Sequence, residues 1–192
     1  MKPPFIVTGC PRSGTMITAH ILANDYNCTV IDEFSFLPST ISYNKINIMI
    51  EHGVTNFVIQ SPTALNCFVD IFHAVPELHW VGVSRKKDEV IESMKRIHYR
   101  RDEFYHWPDY LHDFVTSCKQ QWGMIKSILP KTCWTEITYD SLKKHPLFIP
   151  KEDREDFTVK QWKLNEPCGM SYWNDNEQCY LKKVQDGYQR DN

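Results

Sequence analysis

Short runs of consecutive apolar residues alternate along this chain with stretches in which apolar positions recur every three or four residues. The first kind reads as strands: residues 5–8 (FIVT), 28–32 (CTVID), 56–60 (NFVIQ), 78–84 (LHWVGVS) and 133–138 (CWTEIT). Runs this short and this uniformly apolar suit strands covered on both faces, as in parallel sheets. The second kind reads as helices over residues 15–23, 44–51, 64–74, 87–96 and 110–129. Within 87–96, Val90, Ile91 and Met94 share one face, and Pro76 and Pro130 stop the helices before them. Alternation of this kind predicts βα units, right-handed crossovers and a mostly parallel central sheet flanked by helices in three layers.

The pattern fades near Pro146. Residues 147–192 are rich in charge, asparagine and aromatics without periodicity, and are expected to form an irregular C-terminal lid or tail. Their aromatic content favours packing over disorder. A length of 192 residues predicts a single domain over 1–192, its core at about 4–146.

Composition narrows the function classes. A formal charge of −2 and a pI near 6.4 carry no nucleic-acid signature, so any basic site must be local. Seven cysteines, at 10, 28, 67, 118, 133, 168 and 179, show no CxxC or finger-like spacing. Reduced thiols are expected, with no metal site. The apolar run in MKPPFIVTG is too short for a secretory leader, and no stretch approaches the ~20 apolar residues that cross a bilayer. The expectation is a cytoplasmic protein with neither a nucleic-acid nor a membrane partner.

Chemistry concentrates where the first strand ends. In TGCPRSGTM, Gly9 and Gly14 stand five apart, as in a phosphate-binding loop. Successive backbone N–H groups there, with the positive end of the following helix, make a preorganised anion site. The lysine and magnesium-binding hydroxyl of ATP-users would follow the second glycine; Thr15 and Met16 stand there instead. Arg12 supplies the charge from within the loop, as a planar fork able to grip two oxygens. The ligand this suits is phosphate-like but needs no tightly held Mg²⁺. A sulfuryl group, less charged than a γ-phosphoryl, meets that description. A second constellation, VSRKKDEVIESM, puts Arg85 just past a strand end and Ser93 eight residues later on the next helix. Both can converge on one anion at the carboxyl edge of a sheet.

Together these segments resemble the PAPS-dependent sulfotransferases, P-loop proteins that move a sulfuryl group from 3′-phosphoadenylyl sulfate to an acceptor. PRSGT is similar to that family's 5′-phosphosulfate loop and VSRKKDEVIESM to its 3′-phosphate segment. The stretch from FVIQSP to VGVSR and the segment ITYDSLKKHP are similar to the family's intervening and following segments. The resemblance covers residues 4–146 and implies a P-loop nucleotide-binding fold. It implies that Pro11, Arg12, Ser13, Gly14, Thr15 and Met16 hold the 5′-phosphosulfate, and that Arg85 and Ser93 hold the 3′-phosphate. The implied donor is PAPS, the implied product 3′,5′-ADP, and the implied acceptor a hydroxyl or amine on a small molecule or carbohydrate. Two departures stand out: Met16 replaces a second hydroxyl residue, and Gln60 replaces a lysine before Ser-Pro.

The family deprotonates its acceptor with a histidine or a glutamate. Glu33, in VIDEFSFLP at the end of the second strand, is the expected base, with His98 as the rival and Arg12 steadying charge on the group in transfer. The aromatic and cationic stretch 98–114 is a candidate wall for the acceptor. Two other classes stay open. TVIDE looks like the acidic strand of a P-loop kinase or NTPase, and the departures at 16 and 60 suit a non-catalytic binding or assembly module on the same fold.

Overall fold

The computed structural model describes residues 1–33, 36 and 38–148. Beyond 148, the tail expectation for 147–192 therefore lies outside the described residues. The chain divides into two compact units, Met1–Tyr139 and Asp140–Asn192. Of the second, residues 140–148 are described, with Lys143 Nζ paired to Asp140 Oδ1 at 2.7 Å.

The first unit is α/β. Its five strands are β1 (Phe5–Gly9), β2 (Thr29–Ile31), β3 (Phe57–Gln60), β4 (His79–Ser84) and β5 (Trp134–Thr138). They form one sheet in the order β2-β3-β1-β4-β5, with every pairing parallel. Five helices lie between them: α1 (Thr15–Tyr26), α2 (Thr40–Glu51), α3 (Phe68–Ala74), α4 (Lys87–Arg96) and α5 (Trp107–Ile128). Among the described residues no helix is long and apolar enough to cross a membrane.

Both faces of the central strands are covered, which is why they read as unbroken apolar runs. Along β1 the side chains alternate between layers. Ile6 joins a large core with Phe57, Phe68, Ile71, Trp80 and Trp122, whereas Phe5 meets Tyr26 of α1 edge-on at 5.0 Å. Trp122 of α5 lies directly on Gly82 of β4, where a Cβ would collide with the indole. That glycine is required by close approach, not by backbone freedom.

Several element bounds differ from the sequence reading, each for a local reason. α2 starts at Thr40 rather than 44 because Ser39 caps it, accepting from the Ser42 N–H at 3.3 Å. α1 runs on to Tyr26, where Asn27 turns left-handed at φ 52° and ends it. The helix expected over 64–74 is two pieces, a 3₁₀ turn at Pro62–Leu65 and then α3. Its entry is pinned to the sheet by Ser61 N–H donating to Val7 O at 2.9 Å, and Ala64 then bonds back three residues to Ser61.

The strand order places a topological switch between β1 and β4. The chain leaves β1 toward β3 and β2, but leaves β4 toward β5, the arrangement at whose carboxyl edge open α/β sheets bind ligands. The loops after β1 and β4 carry Arg12 and Arg85.

Candidate functional site

The loop after β1 begins with a tight turn. Ser13 N–H donates to Cys10 O at 3.0 Å, with Pro11 and Arg12 between them. Arg12 takes φ 70° and Gly14 φ 105°. Gly9, at φ 151°, admits no side chain, since a Cβ would press 2.6 Å from Val83 O and 3.0 Å from Ser13 Oγ. The loop thus lies flat against β4, and Thr18 Oγ1 donates to Gly14 O at 2.9 Å to fix the first turn of α1.

The two anion segments read from the sequence meet here. Arg12 Nε donates to Ser93 Oγ at 3.2 Å, linking the loop to the middle of α4. Arg85 Nη1 donates to Arg12 O at 3.3 Å, linking the end of β4 back to the loop. Arg85 is held further by Glu89, Nε to Oε2 at 2.8 Å, and by the Tyr139 ring, which its guanidinium covers at 4.0 Å. Neither partner was read as functional. Glu89 lies one helical turn after Arg85, a spacing that signals such a pair. Tyr139 was visible only as part of ITYDSLKKHP; the β4–β5 register, Ser84 opposite Thr138, brings it beside Arg85.

Ser13 is buried, and among the described residues its Oγ has no hydrogen-bond partner. A buried, unpartnered hydroxyl beside a guanidinium and a helix N-terminus fits an anionic oxygen. Thr15 is buried as well, and its Oγ1 accepts from Gln60 Nε2 at 3.2 Å. The group facing Thr15 from the neighbouring strand is therefore a neutral amide. Met16 is half-buried and Pro11 half-buried at the loop's outer side. Cys10 packs against Cys118 of α5, and that thiol's hydrogen bond, with burial, pushes Cys10 far up, so it is a packing group and no nucleophile.

Glu33 is half-buried two residues past β2. Burial pushes its carboxyl above the usual 4.5, the neighbouring Asp32 charge adds to this, and the Arg12 guanidinium pulls it back down. Glu33 and Arg12 thus feel each other's charge. His98 keeps different company: it is exposed, left-handed at φ 50°, with its ring 6.3 Å from Trp107 and Nδ1 3.5 Å from Arg101 Nη1. The aromatic residues that follow close on themselves, Phe104 stacking on Tyr110 at 3.7 Å between centroids.

No protein-family model matches this chain, and no curated protein matches it. Among solved structures it is similar to the sulfotransferase domain from the curacin biosynthetic pathway, at TM-score 0.58 and 16% identity over 76% of this chain and 70% of that one. A sugar kinase from Janibacter sp. HTCC2649 gives TM-score 0.44 and 11% identity over 76% and 88% of the two chains. A gluconokinase from Sinorhizobium meliloti 1021 gives 0.41 and 15% over 71% and 82%. Likeness at such identities concerns the fold, and the fold is the P-loop one: a parallel sheet flanked by helices, with the glycine loop after its central strand.

Proposed function

We propose that the chain is a sulfotransferase using 3′-phosphoadenylyl sulfate as donor and releasing 3′,5′-ADP. The observation that carries this reading is the reciprocal pair of bonds between the loop and the Arg85–Ser93 segment. It makes one cluster of two arginines, two serines and a threonine, without the Walker lysine. In this reading Arg12, the Ser13 hydroxyl and the N–H groups of 14–16 receive the 5′-phosphosulfate. Arg85 and Ser93 receive the 3′-phosphate: Arg85 spends two of its five N–H groups on Arg12 O and Glu89, leaving three for an anion.

When bound, the donor supplies a sulfuryl group on a phosphate leaving group. Arg12 then lies where charge develops, and fixed donors in a partly desolvated site stabilise it. Glu33, with its carboxyl raised by burial, takes the acceptor's proton. The acceptor is a hydroxyl or amine of a small molecule or carbohydrate.

The kinase or NTPase reading draws on Asp32 and Glu33. It is weakened by the missing Walker lysine, in whose place Thr15 stands. Thermal shifts with 3′,5′-ADP, AMP and Mg·ATP decide among the classes. A ligand at 100 times its Kd stabilises by about 2.7 kcal/mol, roughly 5–10 °C for a domain of this size. Strong stabilisation by 3′,5′-ADP supports the proposal, preference for Mg·ATP replaces it with the kinase reading, and no response to any of the three leaves a binding module of another kind.

A further inference from the structure

We propose that Arg85 is a positioning residue for the anion loop, holding Arg12 in the left-handed conformation from which it reaches Ser93. The turn from Cys10 to Ser13 has the pattern of a type II turn: proline second, positive φ third, and a closing bond from Ser13 N–H to Cys10 O. The third position of that turn belongs to glycine or asparagine, because a Cβ disfavours positive φ. Here it is Arg12, at φ 70°. The conformation persists only if something outside the turn favours it. The carbonyl of this same residue accepts from Arg85 Nη1, and its guanidinium donates to Ser93 Oγ. Arg85 is itself fixed on two sides, by Glu89 at 2.8 Å and by Tyr139 at 4.0 Å. A rigid donor therefore bears on the strained residue.

The consequence is that the two anion subsites are coupled. An anion that draws on Arg85 also acts on the peptide that aims Arg12, so a ligand's 3′ end influences how well the loop holds its 5′ end. That consequence deepens the donor-site reading and rests on it; the loop's dependence on Arg85 does not.

Hydrogen exchange of the Ser13 amide in the ligand-free protein is the direct test. Arg85→Ala should speed it by about tenfold or more, the loss expected for one charge-assisted hydrogen bond. With Arg12→Gly, where positive φ carries no penalty, the same substitution should change exchange by less than about threefold. An equal effect in both backgrounds, or none in either, overturns the proposal. If Arg85→Ala does not fold, Arg85→Gln carries the same comparison. A second measurement addresses binding: AMP lacks the 3′-phosphate, so its Kd should rise about tenfold in Arg85→Ala. An unchanged AMP affinity limits Arg85 to the 3′ end and overturns the coupling. If the unsubstituted protein binds neither AMP nor 3′,5′-ADP, the donor-site reading falls, and the exchange comparison still decides the role of Arg85.

Discussion

Glu33 sits between opposing influences, and its titration has a consequence that needs no substrate. Burial and Asp32 disfavour its ionised form, while Arg12 favours it, and the net direction is upward from 4.5. A carboxyl whose folded pKa is raised adds stability below its unfolded pKa and loses that contribution as pH rises through the folded value. Glu33→Gln should therefore match the wild type near pH 4 and become the more stable of the two at pH 7. Parallel melting curves from pH 4 to 7.5 check this, and a wild type that stays the more stable at pH 7 would contradict the burial-dominated account. At this scale the meeting of Arg12 with Arg85 and Ser93 was legible because both segments follow strand ends of βα units and so come to one edge of a parallel sheet. Gln60 was visible only as a departure, and its role as the Thr15 partner depends on β3 lying beside β1, which no local pattern states.

Elements were legible in proportion to how far local chemistry decides them. The central strands β1, β3 and β4 were found because double-sided burial leaves an apolar run, and α4 because its apolar residues share one face. The 64–74 stretch was misread as one helix because its break is imposed from outside, by the bond that ties Ser61 to β1. Gly82 poses the same difficulty: within LHWVGVS it looks like a weak point in a strand, yet α5 uses it as the seat for Trp122. Gly82→Ala should thus destabilise by overpacking, about 1–3 kcal/mol or more, seen as a lower Tm. Trp122→Phe removes the indole atoms that the new Cβ would meet. The double variant should lose less than the sum of the two single changes. Strict additivity would show that the contact between β4 and α5 is not what the glycine serves.

For the whole molecule, the strand order separates two jobs. The switch between β1 and β4 gathers Arg12, Arg85 and Ser93 at the carboxyl edge. At the amino edge, His79 opens β4, opposite Phe5 of β1. Its Nε2 shares a 2.8 Å hydrogen bond with Thr135 Oγ1 of β5, and its ring meets Phe5 edge-on at 6.0 Å. Burial is the main cause that lowers the pKa of this histidine below 6.5. The neutral ring is the form the fold accepts, so its contribution is present above the unfolded pKa of 6.5 and is lost as pH falls through the depressed folded value. His79→Gln keeps a polar partner for Thr135 without a titrating group. Its Tm should fall less than that of the wild type between pH 7.5 and 5. If 3′,5′-ADP binds as proposed, the shift it produces at pH 7.5 should be the same in both proteins, because the proposed site is at the other edge. Equal acid sensitivity would remove His79 from the account of stability. A changed ligand shift would mean that the two edges of the sheet are not independent, and that the anion loop responds to packing at the far end of β1 and β4.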